Sequence, residues 1–234
     1  MTSRALRELE RELETLSPRE GAGEGPAVPT GLTFLDRLLP GGGLPRGRAV
    51  EWRGERSCGK TALLRAVLRR LAEEGEPVAL VDVRRTLYAP DWLDLAGRRG
   101  RFWVVRCPGG REAPWCTDLL LRSRAFGAVA LVPGGEGEVR LGGGTATRLQ
   151  RLAEEARATL LVMDEVPVAG LRLRFRTGRL EPLRDGPFAP RLPPVRPLWV
   201  RVQGGKREEV PVLCPAPRRG PSRGEEGRDR KGRR

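Results

Sequence analysis

Residues Arg48 to Leu64 read RAVEWRGERSCGKTALL, and the order of elements within that stretch decides the fold. Ala49-Val50-Glu51-Trp52 alternates as a strand does. Gly54-Glu55-Arg56-Ser57-Cys58-Gly59-Lys60-Thr61 satisfies G-x-x-x-x-G-K-[ST] at every fixed position, and Leu63, Leu64, Val67, Leu68 and Leu71 recur behind it at helical spacing. Strand, glycine-rich loop and helix in that order make a phosphate-binding loop. Gly54 and Gly59 let the backbone take positive-φ geometry and turn N–H groups toward phosphate oxygens, and the helix that follows adds the positive end of its dipole. Lys60 is expected to reach the β and γ phosphates and the Thr61 hydroxyl to ligate Mg²⁺, so residues Gly54 to Thr61 form a candidate ATP–Mg²⁺ site. A glycine-rich turn in an Arg- and Gly-rich chain is the plain alternative. The motif speaks for binding more directly than for hydrolysis.

With 234 residues the chain has the length of one sizeable domain, or one domain with appendages. Its formal charge of +14 and pI near 11.2 point to acidic partners, nucleic acid first, although an Arg-, Gly- and Pro-rich composition also follows from a GC-rich genome. The sequence has no histidine, which excludes His-based acid–base catalysis and His-ligated metals. Cys58, Cys107, Cys116 and Cys214 show no C-x-x-C spacing, and a reduced, cytoplasmic protein with unbridged thiols is the simplest account. Neither a membrane span nor a signal peptide is expected, because no apolar run is long enough.

Outward from the loop toward the N-terminus, Thr30 to Leu39 predicts a short capped helix, and Pro40-Gly41-Gly42-Gly43-Leu44-Pro45-Arg46-Gly47 a turn into the strand. Residues Ser3 to Leu16 predict a charged helix whose leucines at 6, 9, 13 and 16 form a narrow apolar seam. That seam fits docking on a partner or a second subunit, or packing on its own domain. Residues 18–28, rich in Gly and Pro, read as a linker.

The run TGLTFLDRLLPGGGLPRGRAVEWRGERSCGKTALL, Thr30 to Leu64, resembles the opening of the core domain of RecA-type recombinases. In that family a Thr-Gly-x-x-x-Leu-Asp helix precedes a Gly-Gly-Leu-Pro-x-Gly turn, a strand and the Walker A loop. Downstream, Val78–Val83, Phe102–Cys107, Ala128–Val132 and Thr159–Met163 predict strands alternating with helices near 92–98, 113–123 and 145–158. The expected architecture is α/β, a mostly parallel central sheet covered by helices. Leu171–Thr177 and Leu198–Gln203 predict later strands, Val210–Cys214 a returning edge, and the proline-rich 184–197 no central strand. The division expected is a helix at 1–17, a linker at 18–28, a RecA-like core at 29–214 and a disordered basic tail at 215–234. The tail carries eight basic and three acidic residues, which suits weak contact with a phosphate backbone or mere solubilisation.

A RecA-like ATPase also needs a strand-end carboxylate for the Mg²⁺ shell, a glutamate to activate water, and a polar sensor. The resemblance puts the glutamate at Arg84, after Val81-Asp82-Val83, and the Walker B aspartate at Pro133, after Ala128 to Val132. Neither residue supplies a carboxylate. The sensor strand runs into Asp164-Glu165, which also looks like a Walker B box: Asp164 is then a Mg²⁺ ligand and Glu165 the base. Strand counting favours the degenerate site. The resemblance further places an aromatic near the adenine, here Trp92 or Tyr88, with core packing as the alternative, and a lysine reaching a neighbouring subunit near Lys206. Both DNA loops of the family are short here, Gly134 to Gly144 and Val166 to Gly170.

A RecA-like core with these losses and no sign of the family's extra C-terminal domain resembles the ImuA-type accessory proteins of bacterial damage-induced mutagenesis. That resemblance implies a nucleoid-associated adaptor in the SOS response, acting with RecA or translesion-polymerase components, with DNA reached through the basic surface. A DNA-dependent ATPase using Asp164 and Glu165, or a regulator of RecA filaments by subunit mimicry, are the alternatives.

Overall fold

In the computed structural model the chain runs, in order, α1 (Ser3–Glu14), β1 (Ala27–Val28), α2 (Thr33–Leu38), a 3₁₀ turn at Pro40–Gly42, and β2 (Leu44–Pro45). It continues through β3 (Ala49–Gly54), α3 (Lys60–Glu73), β4 (Val78–Val83), β5 (Phe102–Cys107), α4 (Ala113–Arg122), β6 (Ala128–Val132) and α5 (Gly143–Ala156). Three strands close it: β7 (Thr159–Val162), β8 (Leu171–Thr177) and β9 (Leu198–Val202). The structure describes residues 3–18, 25–83, 85, 87–88, 90, 92, 95, 102–107, 109–134, 138–177 and 198–203.

Seven strands form one sheet in the order β5-β4-β6-β7-β3-β8-β9, parallel throughout except for the last pair. Parallel strands need helical crossovers, which is why βα units fill the sequence between them. Alternate residues feed two cores. Ala79, Val81 and Val83 of β4 join α4, α5 and α1 on one face, and Val78 and Leu80 join α2 and α3 on the other. The central strands β4, β6 and β7 are therefore buried on both sides and read as continuous apolar runs.

Among the described residues the double cover ends at β8. Leu171, Leu173 and Phe175 point into the α2–α3 core, while Arg172 and Arg174 alternate with them and stay partly exposed and Arg176 is exposed. Among the described residues, helices cover both faces at the centre of the sheet and one face on this side. Register puts Arg53, Arg174 and Arg201 in one row across β3, β8 and β9, so this face is rich in arginine.

Several boundaries move. Residues 27 and 28 are not linker: they pair antiparallel with Leu44–Pro45, and a Cβ on Gly43 would meet the Val28 carbonyl oxygen at 2.3 Å, so only glycine lets these backbones approach. Helix α2 starts at Thr33 because Thr30 donates both its N–H and its hydroxyl to Asp36 Oδ1, each at 2.7 Å, and holds the preceding residues outside the helix. Strand β7 stops at Val162, and α5 begins at Gly143. The proline-rich 184–197, the predicted edge at 210–214 and the tail at 215–234 lie outside the described residues, as do most of residues 92–98.

The seam of α1 is filled from within the chain. Leu9 and Leu13 are buried in the same core as Leu119 and Leu120 of α4, with Leu16 packed against it. This is the own-domain alternative. Hydrophobic burial beside α4 was available without a partner. Among the described residues no helix is long and apolar enough to cross a membrane.

Candidate nucleotide site

Because β3 is parallel to its neighbours, the loops leaving β3, β4, β6 and β7 gather at one end of the sheet, where ligands of open α/β sheets bind. There Arg53, Gly54, Arg56, Ser57, Lys60 and Thr61 from the phosphate loop meet Leu87, Val132, Pro133, Gly134, Met163 and Asp164 around a cavity of about 590 Å³. That volume lies within the usual range for small-molecule sites.

The loop has the backbone its motif demands. Gly59 takes φ 86° and Ser57 φ 57°, both left-handed, so successive N–H groups turn inward ahead of the first turn of α3. At Gly54 a Cβ would meet the Phe175 carbonyl oxygen at 2.5 Å and Cys58 Sγ at 2.9 Å. The Trp52 indole N–H donates to the Lys60 carbonyl at 3.0 Å and pins the start of the helix to the strand below. Lys60 Nζ donates to the Gly54 carbonyl at 2.6 Å, folded back across its own loop. Cys58 is buried under the loop, and burial pushes its thiol pKa above the ordinary value of 9.0. Glu55 is exposed at the loop's tip.

Strand order tests the placing of the carboxylates. β7 lies between β6 and β3, so Asp164 stands past the end of β7, and β6 ends at Val132 with Pro133 next in the cavity wall. Among the described lining residues the only carboxylate is Asp164, against Arg53, Arg56 and Lys60, and the field favours an anion. Asp164 is buried; its Oδ1 accepts the Glu165 N–H at 2.8 Å, and its Oδ2 has no hydrogen-bond partner among the described residues. A buried carboxylate oxygen left over in a cavity that Thr61 also lines suits a hard cation and its water shell. The residues present therefore fit Mg²⁺ and a nucleotide, with Thr61 and Asp164 on the metal and Gly54 to Thr61 on the phosphates.

Two sequence-predicted residues fall elsewhere. Glu165 does not line the cavity; its side chain is 71% exposed and accepts from Arg53 at 3.2 Å. Trp92 is buried and stacks on Phe102, ring centroids 6.2 Å apart, so it packs in the core, while Tyr88 is 68% exposed. Arg84 and Lys206 lie outside the described residues.

The structure adds two carboxylates. Glu51, 1% exposed in the middle of β3, accepts the Val166 N–H at 2.9 Å, and binds the Arg174 and Arg172 guanidinium groups. It thereby holds the chain just after Asp164 against the phosphate-loop strand. Asp82, fully buried near the end of β4, accepts the Leu87 N–H at 3.3 Å and shapes the segment that brings Leu87 to the cavity. The signal for both was a single acid inside an apolar run, AVEW and VALVDV.

No family model matches the chain. The RecA proteins of Pseudomonas fluorescens and Pseudomonas savastanoi pv. phaseolicola are each 37% identical to it over 124 residues, which is 50% of this chain and 35% of each relative. The match thus spans about a third of the relatives' length. Among solved structures, the KaiC-like protein from Pyrococcus horikoshii superposes with a TM-score of 0.51 at 16% identity, covering 78% of this chain and 91% of that one. Loop geometry, strand order and both comparisons agree: the chain has a RecA-like P-loop fold and is similar in sequence to RecA over half its length.

Proposed function

We propose that this chain is a RecA-like nucleotide-binding accessory protein of bacterial DNA repair, acting in SOS translesion mutagenesis beside RecA or translesion-polymerase components, and that it turns ATP over slowly or not at all. The observation that carries the reading is the cavity wall: among the described residues it presents Gly54, Arg56, Ser57, Lys60 and Thr61 of the phosphate-binding loop and one carboxylate, Asp164, with Pro133 at the end of β6. When bound, Mg²⁺ supplies charge neutralisation at the phosphates. The chain's own residues bind and orient: Lys60 exchanges the Gly54 carbonyl for a phosphate oxygen, the loop N–H groups cradle it, and Glu51 fixes the chain at Val166 behind Asp164. In sequence, Arg84 follows β4 where a water-activating glutamate would stand, and a guanidinium accepts no proton at neutral pH. DNA or an acidic partner meets the arginine face of β8 and β9.

A second reading, a DNA-dependent ATPase, draws on the unpartnered Asp164 Oδ2 in the cavity. Single-turnover hydrolysis of ATP with and without single-stranded DNA separates the two, comparing wild type with Asp164→Asn and Glu165→Gln. The accessory reading predicts no DNA-stimulated phosphate release in any of the three. Stimulated release by wild type that either substitution abolishes would overturn it.

A further inference from the structure

Cys107 and Cys116 play no part in the nucleotide site, yet the fold brings their sulfurs to 3.0 Å. Cys107 is the last residue of β5, at the edge of the sheet, and Cys116 is the fourth residue of α4. Both are fully buried in the core shared with α1 and α5. The connection between them is short, with half-buried Gly109, Gly110 and Glu112 and exposed Arg111. Spacing alone does not point to this pair, because the two cysteines are nine residues apart and meet only when the strand end and the helix start pack together.

We infer that Cys107 and Cys116 are a reversible modification site, a dithiol that oxidises to an intramolecular disulfide joining β5 to α4. The contact is polar and has a direction: the Cys107 S–H donates to Cys116 Sγ. Donation keeps the Cys107 proton in place and draws the Cys116 thiol below its ordinary pKa, while Cys107 is raised, first by that hydrogen bond and then by burial. Cys116 also sits in the first turn of a helix, where a thiolate is favoured.

Cys116 is therefore the attacking sulfur. With a small-molecule disulfide as the oxidant, the Cys116 thiolate attacks one of its sulfurs, forms a mixed disulfide and expels one thiolate. Cys107 then loses its proton and attacks Cys116 Sγ, forming the intramolecular bond and expelling the second thiolate. Two protein S–H bonds are lost, one S–S bond forms in the protein and one breaks in the oxidant, and both protons end on the two small thiols. Because both sulfurs are buried, reaction waits on local opening of the 109–112 turn, and it is slow compared with an exposed thiol.

The full chain, incubated with glutathione disulfide, alkylated under denaturing conditions and digested with trypsin, tests this directly. Cleavage after Arg106, Arg111 and Arg122 releases Cys107 and Cys116 on separate peptides, 107–111 and 112–122. The expected result is loss of two alkylatable thiols and a disulfide-linked pair of these two peptides, both reversed by dithiothreitol. A rise of roughly 5–10 °C in the thermal midpoint should accompany the oxidised form. A Cys58→Ser/Cys214→Ser double variant should behave alike. All thiols alkylated after oxidation, or a linkage to Cys58, to Cys214 or between chains, would overturn the inference. None of these readouts depends on nucleotide binding.

Discussion

At the scale of single residues, Gly54 is where strand, loop and neighbouring strand meet. Gly54→Ala sets a methyl carbon against the Phe175 carbonyl oxygen at 2.5 Å, so β3 and β8 must part, at a cost of about 1–3 kcal/mol in chemical denaturation. Cys58 gives a pH prediction. Burial raises its thiol above 9.0, so the folded chain keeps a proton that the unfolded chain releases. Its contribution to stability is full below pH 9 and is lost as pH rises through the raised value. Denaturation midpoints should therefore fall above pH 9 in wild type, and fall less in Cys58→Ala. The loop residues were legible because their motif fixes chemistry at each position. Trp92 was not, since an aromatic that stacks on a base and one that stacks on Phe102 carry the same letter.

Single elements show where packing overrides local pattern. The leucine seam of α1 says that the helix needs an apolar neighbour without saying which, and α4 of the same chain takes the place. Leu13→Ala should then destabilise the monomer by about 2 kcal/mol or more, measured by urea unfolding, whereas a seam kept for a partner would leave monomer stability unchanged. Strand β3 carries the buried Glu51 with Arg174 and Arg172. Glu51→Ala removes the buried acid, leaves the Val166 N–H without its acceptor and leaves two partly exposed guanidinium groups unpaired, so it is expected to cost about 1–3 kcal/mol. Glu51→Gln, which keeps an acceptor for Val166, should cost less. The strands themselves were legible as apolar runs. The one-sided cover of β8 was also written in LRLRFRT, an alternation that a strand with helices on both faces would not need.

Across the whole molecule, the sheet order β5-β4-β6-β7-β3-β8-β9 matters more than any one motif. It separates β6 from β3 by β7 and so puts Asp164 past the end of β7 and not of β6, while the cavity still reaches its carboxylate. Counting strands along the chain anticipated this because each βα unit adds one parallel strand. The β1–β2 pair was not anticipated, since two-residue strands leave no periodicity. The formal charge of +14 and the arginine face give a further expectation. If about three phosphates of a single strand are contacted, affinity should fall roughly 20-fold between about 50 and 200 mM salt, and Arg176→Ala with Arg201→Ala should flatten that slope. The account stands or falls on whether the phosphate loop works. Equilibrium binding of a fluorescent ATP analogue, with and without Mg²⁺, to wild type and Lys60→Ala is the measurement to make. Saturable, Mg²⁺-dependent binding by wild type that is lost in Lys60→Ala is the predicted result, and equal binding by both proteins, or none by either, would contradict it.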